Sequence, residues 1–277
     1  MLDNLIDNML DISICQPFSV LRCCIVKRKL EDSSPAESRV SETVTKLRQA
    51  IFRGQLMPGT PLRELTLARE QAVSQATVRD ALQRLEHAGL VTRKPNLGAT
   101  VTRLSPRDVR ERVSLRALLE ITAAEAASAR MTEADFAELE TRLQVLGEAV
   151  ASDRYYEAAQ ADLNFHRYVW QCSGNEMLCR ILELVTVPLF AFISIMRSHG
   201  FQRLTTVVEA HEPLIAALRG RDLARIRYEF ERGATSSYAP YLDESGERLA
   251  AEAFGFLSPP FGDAKGLLEP RGGNHTK

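Results

Sequence analysis

The sequence predicts a mainly α-helical fold in two parts. An N-terminal part contains three short helices and a β-hairpin, and an all-α antiparallel bundle of about six helices follows it. The first observation is that apolar residues recur at helical spacing from Asp108 to Tyr241, whereas β-prone runs are confined to residues 90–102. The second is charge. Residues 38–107 hold 12 Lys and Arg against 5 Asp and Glu, a net charge of +7, and the rest of the chain carries −8. A basic module beside an acidic one indicates a polyanion partner, although a solvated basic face explains the charge alone equally well.

Length and composition predict a cytoplasmic protein of two domains with tails. The chain has 277 residues, of which 45% are hydrophobic and 26% are charged, as in ordinary globular proteins. We expect no apolar run long enough to cross a bilayer, and hence no membrane partner. The five cysteines form no CxxC pair, which argues against a disulfide framework and against a zinc finger.

Changes in composition divide the chain into four predicted segments. Residues 1–37 are a flexible N-terminal extension, either a short amphipathic helix or an over-extended translation start, without the features of a secretory signal. Residues 38–104 form the basic module and residues 105–242 the helical one. Residues 243–277 mix Gly, Pro and charge and are predicted to be a disordered tail.

The first elements of the basic module are two helices joined by a turn. Apolar residues at i, i+4, i+7 and i+11 predict a first helix that ends at Gly54. Pro58 and Gly59 supply the backbone angles of a turn, and a second helix is expected from Glu64 to Gln71. The stripe of the first helix consists of Val40, Val44, Leu47 and Ile51.

A third helix lies within the stretch "VSQATVRDALQRLEHAGLV". Ser74 is a good N-cap residue and Gly89 closes the helix. Its apolar residues fall on one face and should pack against the two preceding helices, which leaves a second face outside. The inner residues are Val78, Leu82 and Leu85, and the outer ones are Ala76, Arg79, Asp80 and Gln83.

That outer face is small at its N-terminal end and carries one arginine. Such a face suits the DNA major groove, where the helix N-terminus can approach phosphate and Arg79 can bind guanine with two hydrogen bonds. For the helix in isolation, an ordinary surface helix with one exposed arginine is the better explanation. Two β-prone runs, Leu90 to Thr92 and Ala99 to Thr102, predict a basic hairpin next to it, and this favours DNA.

The helical part contains a weak metal-binding pattern. Breaks near residues 130, 151, 173, 199 and 220 predict six helices, in a bundle and not a solenoid. Asp162 and His166 lie one turn apart on one helix face, and His211 follows in a later helix. Carboxylate and imidazole together suit zinc, nickel or manganese. On spacing alone, a surface pair remains the commoner explanation.

The residues of both parts resemble a known family. Residues 40–101 contain "LRQAI", "PG", "VS", "TVR" and "LEHAGLV", and they resemble the winged helix-turn-helix of the GntR family of bacterial transcription regulators. The helical part resembles the ligand-sensing FCD domain of the FadR-like subgroup. The segments that carry this second likeness, in that domain's order, are "RALLE" from Arg116, "DLNFHRYV" from Asp162 and "EAHEPLIAALRGRD" from Glu209.

The resemblance implies a set of DNA-binding residues. Family members usually open the recognition helix with Ser-Arg-Thr-Pro, whereas this chain has Ser-Gln-Ala-Thr, so Arg79 and Arg63 are expected to bear more of the contact. Gly98 falls at the tip of the wing, where the backbone passes close to the minor groove, and Arg93 and Lys94 are expected to neutralise phosphates. The full set is Arg63, Ser74, Gln75, Ala76, Thr77, Arg79, Gln83, Arg93, Lys94 and Gly98.

The resemblance also implies a site for a metal or an effector. Many FCD domains hold a divalent metal with one Asp and three His, but the third histidine position is Gly233 here, which makes a cofactor doubtful. Water, an effector carboxylate or Glu229 could complete a site of three ligands. Alternatively, the metal is lost and an organic acid binds directly to Arg116, unless Arg116 only pairs with Glu120 on the surface. The expected effector-binding residues are Arg116, Asp162, His166 and His211, and the last three are the expected metal ligands.

The sequence therefore predicts an effector-responsive transcription regulator and not an enzyme. It would bind a palindromic DNA operator as a homodimer, sense a small organic acid and repress a catabolic or transport operon. The alternative is an all-helical metalloenzyme that uses Asp162, His166 and His211, with the basic module as a tether. That alternative needs a general base, which the sequence does not offer near those ligands.

Overall fold

The computed structural model describes residues 35–94, 98–198 and 207–238. Within these ranges the N-terminal module has three helices and a small antiparallel sheet with strand order β1-β3-β2. All three predicted helices and the hairpin are present. The elements are α1 (Pro35–Phe52), β1 (Pro61–Leu62), α2 (Glu64–Glu70), α3 (Gln75–His87), β2 (Val91–Lys94) and β3 (Gly98–Val101).

Strand β1 is an element that the sequence did not predict. Pro61 pairs with Thr100 and Leu62 with Ala99, so β1 joins the outer edge of the hairpin strand β3. A strand of two residues is too short to show the alternation of apolar and polar residues by which strands are recognised. Only the pairing with β3 makes it a strand.

The rest of the described chain is helical, and its six α-helices are those that the sequence predicts. Their boundaries follow from local signals, since Ser105 with Asp108 and Thr132 with Asp135 form capping boxes. The helices are α4 (Pro106–Ser128), α5 (Glu133–Ala151), α6 (Tyr155–Cys172), α7 (Glu176–Ser198), α8 (His211–Gly220) and α9 (Leu223–Tyr238), with a 3₁₀ turn (Val208–Ala210) before α8.

Helix α7 corrects one expectation from the sequence. By length and composition this helix could cross a membrane, because an 18-residue stretch of it has a mean hydropathy of 2.0. The sequence was expected to contain no such stretch. In the structure, 72% of this apolar stretch is buried inside the protein. A core helix gives the same signal, and α7 packs against α4 and α6 in this way.

The described residues form two large hydrophobic cores, which hold in position the helices and the sheet that carry the candidate sites. One core lies within the helical part, between α4, α5, α6, α8 and α9. The other includes buried residues of α1, α2, α3 and the sheet together with residues of α4, α6 and α7, such as Leu47, Leu82, Trp170 and Phe190. The compact unit that begins at Val40 contains both cores. The predicted N-terminal extension and C-terminal tail lie outside the described residues, except for residues 35–37 in α1.

Candidate functional site

Helix α3 is built and oriented as its sequence predicts. The Ser74 hydroxyl accepts a hydrogen bond of 3.0 Å from the Thr77 amide, and Gly89 follows the helix with a φ of +71°. Val78 and Leu82 are completely buried and Leu85 is nearly so. Gln75, Ala76, Arg79, Asp80 and Gln83 are exposed, whereas Thr77 is half-buried.

A network of hydrogen bonds orders this exposed face. The Glu64 carboxylate, in the first turn of α2, accepts hydrogen bonds from Arg79 Nη2 at 2.9 Å and from Gln75 Nε2 at 3.2 Å. Arg79 Nε also donates to Glu64. The hydrogen bond from Arg79 is the main reason that the pKa of Glu64 is lowered. The sequence does not show this contact, because Glu64 and Arg79 belong to different helices.

The predicted wing residues differ in their surroundings. Arg93 Nη2 donates to the backbone oxygen of Arg79 at 2.9 Å and Arg93 Nε lies 3.4 Å from Glu86, so this side chain fastens the hairpin to α3. Gly98 is exposed, with a φ of +78° and open space where a Cβ would lie. The positive φ accounts for a glycine at this position, because other residues rarely adopt it. The backbone of Lys94 pairs with Gly98, and exposed Arg63 precedes α2 as its N-cap residue.

The second site is a buried polar cluster in the helical part. Asp162 and His166 lie one turn apart on α6, as predicted, and His211 is the first residue of α8. All three are buried, and one ligand atom from each lies within 4.8 Å of the others. Asp162 Oδ1 is 3.1 Å from His211 Nε2 and 3.4 Å from His166 Nε2. The structure thus brings the three predicted ligands together.

The protonation of His211 tests whether these residues fit a cation. His211 Nδ1 lies 2.7 Å from the Val207 carbonyl oxygen, and a carbonyl only accepts, so Nδ1 carries the proton. In the neutral ring, Nε2 then points a lone pair at Asp162 Oδ1. Neither atom has a well-directed hydrogen bond within the described part of the chain. A second proton on His211 or a divalent cation would relieve this contact, and the donor set fits zinc, nickel or manganese.

Glu120 supports the cluster from α4. Glu120 Oε1 lies 2.9 Å from His166 Nδ1 and accepts a hydrogen bond of 3.1 Å from Trp170 Nε1. A histidine that binds a metal with one ring nitrogen usually donates the N–H of the other ring nitrogen to a carboxylate, which orients the ring. His166 Nε2, however, also lies 3.2 Å from Arg116 Nη2. Metal binding at His166 therefore requires that Arg116 release this nitrogen.

Arg116 and Glu120 form the ion pair that the sequence offered as one alternative, but the pair is not on the surface. The distance from Arg116 Nε to Glu120 Oε2 is 2.8 Å, and the two side chains are 7% and 1% exposed. The Arg116 guanidinium also lies 4.9 Å from the centre of the Phe190 ring. A surface pair is thus the wrong interpretation of this spacing, because helix packing covers the face of α4 that carries it.

The charges of the cluster stabilise one another. Burial by itself would raise the pKa of Glu120, but Arg116 and His166 outweigh it and lower this pKa to about 2. Burial would also raise the pKa of Asp162, and the two histidines lower it well below its usual range. Burial lowers the pKa of His166, whereas Glu120 and Asp162 raise it to above its ordinary value. Both carboxylates are therefore ionised at neutral pH.

A cavity of about 50 Å³ opens beside the cluster. At this size it holds roughly three or four water molecules or one small molecule such as a short carboxylate. Gly233, at the missing histidine position, lines it with open space where a Cβ would lie. Glu229 also lines it, but its carboxylate pairs with Arg225 and Arg232, each at 2.7 Å, and it is not among the three clustered ligands.

Three residues that line this cavity were not predicted as site residues. Glu120 was considered only as a surface partner, whereas Arg197 and Tyr238 were not considered; both are buried and line the cavity. Burial raises the pKa of Tyr238 to about 12, so its hydroxyl stays protonated. A signal existed for Arg197, because a charge that follows the apolar run "FAFISIM" is costly to bury and marks a functional position. Nothing comparable marked Tyr238.

Comparison with protein families supports both halves of the resemblance. Residues 39–101 match the family described as "Bacterial regulatory proteins, gntR family". Residues 111–232 match the family described as "FCD domain". The two matches include the recognition helix and the buried cluster.

Individual relatives agree with these matches. The chain is 28% identical to the HTH-type transcriptional regulator YdhC of Bacillus subtilis (strain 168), over 64% of this chain and 79% of that protein. It is 30% identical to a probable D-xylose utilization operon transcriptional repressor of Paenarthrobacter nicotinovorans, over 62% of this chain and 75% of that protein. The solved structure of E. coli McbR/YncC covers 73% of this chain and 96% of its own length, with a TM-score of 0.64 at 23% identity, and so shows a shared fold.

Proposed function

We infer that this chain, which belongs to the gntR family of bacterial regulatory proteins and carries an FCD domain, binds operator DNA under the control of a small carboxylate effector. Its relatives are named as transcription regulators, so the chain is a regulator and not an enzyme. The metalloenzyme alternative is not supported. A relative is named as a repressor of a sugar utilization operon, and we propose that this chain likewise represses a catabolic or transport operon in the cytoplasm.

The proposed DNA contact is made by α3 and the hairpin. The exposed N-terminal end of α3 enters the major groove, with Arg79 and Gln75 at base edges and Ser74, Ala76 and Thr77 close to the backbone. The hairpin tip at Gly98 approaches the minor groove. Arg63, Gln83, Arg93 and Lys94 complete the contact surface, and the basic charge of residues 38–104 supports this assignment.

Arg79→Ala is expected to weaken operator binding by about 1–3 kcal/mol, because it removes the best base-reading group of α3. The measurement is a titration of operator DNA at fixed salt. Arg107→Ala is the matched control, since Arg107 is also an exposed arginine paired with a glutamate, but at the start of α4. Equal affinity of Arg79→Ala and wild type would contradict the assignment of α3.

The proposed effector site is the cavity next to Asp162, His166 and His211. A divalent cation held by these three residues would supply an open position for an oxygen atom of the effector. Arg116 and Arg197, both buried, line the same cavity, and the planar guanidinium of an arginine can form two parallel hydrogen bonds to a carboxylate. Residues 38–104 would then be the DNA-binding domain and residues 105–242 the sensing domain.

The observation that carries this proposal is that one helix, α7, contacts both the cavity and the DNA-binding module. Phe190, Ile193 and Arg197 of α7 line the cavity. From the same helix, Ser194 Oγ donates a hydrogen bond of 2.9 Å to the backbone oxygen of Phe52, at the end of α1. An effector that shifts α7 would therefore change the placement of the DNA-binding module. It acts only through a difference in its affinity for the two arrangements.

Helix α7 also packs against the DNA-binding module at Gly89, just after α3. Pro188 has no amide hydrogen, so the Leu184 carbonyl lacks its usual donor within the helix. Arg112 Nη1 of α4 donates to this oxygen at 2.9 Å. A Cβ on Gly89, just after α3, would lie 2.9 Å from Pro188 and 3.1 Å from the Leu184 oxygen. The α3 end thus packs directly on the proline of α7.

DNA binding in the presence of candidate ligands tests the proposal. The full chain is mixed with DNA from upstream of its neighbouring genes, with and without zinc, nickel or manganese and a series of short carboxylates. We expect one DNA fragment to bind and at least one acid to release it. Failure of every fragment to bind, or chemical turnover of an acid without any effect on DNA, would contradict it.

We further propose that the chain acts as a homodimer, because a single α3 contacts too few base pairs for selectivity and a palindrome requires two copies. An apolar surface is available for the second copy. The hydrogen bond from Arg112 to the Leu184 oxygen places the N-terminal half of α4 beside α7, and both helices expose large apolar side chains. These are Leu115, Leu118, Met177, Ile181 and Leu184, which are between 41% and 63% exposed.

Leu118→Glu is expected to convert the dimer into a monomer, because it places a charge at the most exposed residue of this surface. Light scattering at several concentrations measures the change. Val145→Glu is the control, since Val145 is 53% exposed on α5, outside this surface. A wild-type monomer, both free and on DNA, would rule out the dimer. If Leu118→Glu remains a dimer, the interface lies outside this surface.

A further inference from the structure

The exposed face of α3 is ordered by one carboxylate, that of Glu64. Glu64 Oε2 accepts hydrogen bonds from Arg79 Nη2 at 2.9 Å, Arg79 Nε at 3.2 Å and Gln75 Nε2 at 3.2 Å. The side chains of Arg79 and Glu64 are 56% and 26% exposed, so the ion pair lies at the surface. A surface ion pair contributes little to stability. Its main consequence is that the two side chains of α3 have fixed orientations.

The contact decides which way the Gln75 amide faces. An ionised carboxylate only accepts hydrogen bonds, so the amide nitrogen of Gln75 must be the end that faces Glu64. This leaves the amide oxygen and one N–H of Gln75 for another partner. One acceptor beside one donor matches the N6 amino group and N7 of adenine in the major groove.

The same contact decides which edge of Arg79 remains available. Glu64 takes Nε and one hydrogen of Nη2. The two hydrogens of Nη1 and the outer hydrogen of Nη2 remain. This end of a guanidinium donates in parallel to O6 and N7 of guanine, which is the commonest specific contact of arginine with DNA.

We propose that Glu64 is a specificity-determining positioning residue, which presets Gln75 to read an adenine and Arg79 to read a guanine in each half-site. The proposal rests on the proposed function, in which α3 enters the major groove. Gln75 and Arg79 are four residues apart, or about 6 Å along the helix. The two bases therefore lie within about two steps of each other, at ~3.4 Å a step.

The charge of Glu64 separates this role from a merely structural one. A carboxylate that faces DNA repels phosphate, so its removal should preserve or increase affinity for random DNA. The same removal frees Gln75 and Arg79 to adopt other orientations, which should reduce discrimination between bases. A loss of folding would instead reduce both kinds of binding.

Selection of binding sites from a randomised DNA duplex tests the proposal. The full chain is used as wild type and as Glu64→Ala, Glu64→Gln, Gln75→Ala and Arg79→Ala. Glu111→Ala is the matched control, because it removes an exposed glutamate that pairs with an arginine on α4. The selected duplex is then bound with 7-deazaadenine or 7-deazaguanine at the two assigned positions, which removes only the N7 acceptor.

We expect the wild-type half-site to contain the adenine and the guanine. Gln75→Ala should lose the preference for adenine alone and Arg79→Ala that for guanine alone, each by about 5- to 150-fold. Glu64→Ala should reduce both preferences while random DNA binds at least as tightly, and Glu64→Gln, which keeps one acceptor oxygen, should be intermediate. Replacement of the adenine by 7-deazaadenine should weaken DNA binding by the wild type but not by Gln75→Ala, which lacks the amide that contacts N7.

The possible failures are distinguishable. If Glu64→Ala keeps both preferences while Gln75→Ala and Arg79→Ala each lose one, α3 reads DNA but Glu64 does not position it. If the bases assigned to Gln75 and Arg79 are not adenine and guanine, the inference is also wrong. If Gln75→Ala and Arg79→Ala both select the wild-type site, or wild type enriches no site, the proposed role of α3 fails as well.

Discussion

Glu120→Ala is expected to lower the free energy of unfolding by about 3–5 kcal/mol, because it breaks a buried ion pair from one side. The substitution leaves the Arg116 guanidinium buried without its carboxylate partner, at 5% exposure. Trp170 Nε1 loses its acceptor as well, and His166 Nδ1 loses the carboxylate oxygen that lies 2.9 Å away. Each buried donor without a partner adds to the loss.

Urea denaturation with a chelator present measures this change, so that altered metal affinity does not contribute. Glu111→Ala is the control, since it breaks an exposed pair with Arg107 on the same helix and should leave the free energy of unfolding nearly unchanged. A second variant, Glu120→Ala with Arg116→Met, removes both charges and should recover part of the loss. Similar effects of Glu120→Ala and Glu111→Ala would show that the buried pair does not contribute to stability.

Gly233→His is expected to tighten binding of a divalent metal by at least about tenfold, and His211→Ala to weaken it by more than about 100-fold. Loss of a residue that only orients a metal ligand already costs 10- to 100-fold, so a ligand itself should matter more. The structure favours the first variant, because Gly233 lines the cavity and a Cβ there meets no atom within 4 Å. The main reason to doubt the substitution from sequence is a close helix contact at Gly233, and within the described part of the chain no atom lies that close to the added Cβ.

Metal titration of chelator-stripped protein, with melting temperature followed in parallel, provides the measurement. Gly233→Ala is the matched control, since it fills the same space and improves helix propensity without offering a ligand. Tighter binding in Gly233→His alone supports a metal site of three ligands with an open position. Absence of binding in wild type, Gly233→His and His211→Ala would mean that no metal is held, and that the cavity is an organic-acid site built around Arg116 or holds no ligand.

Local features of the fold were predictable because their causes are local. The six helices from α4 to α9 were expected from apolar spacing and chain breaks, and they are present. Ser74 caps α3 and Gly89 ends it, since both effects depend on residues within one or two turns. The apolar run of α7 was misjudged for a related reason. Its composition alone does not separate a membrane span from a core helix, and only packing shows that it is buried.

The candidate sites were predictable to different degrees. Asp162 and His166 lie one helical turn apart, so their common face followed from spacing, whereas His211 depended on family resemblance. The partners that decide the chemistry were not predictable. Glu120 and His166 are 46 residues apart in sequence, and Arg197 and Tyr238 come from two further helices, yet all four line the same cavity. Such proximity is a property of helix packing.

The sequence by itself determined the order of the helices, the caps of α3 and the exposed and apolar faces of that helix. These depend on hydrogen bonds and apolar spacing over a few residues. Only the tertiary structure decided that Arg116 and Glu120 are buried, that Gln75 and Arg79 donate hydrogen bonds to Glu64, and that α7 contacts both the cavity and the N-terminal module. The physical reason is that burial and contacts between helices depend on which faces pack together, and a short stretch of chain does not contain that information.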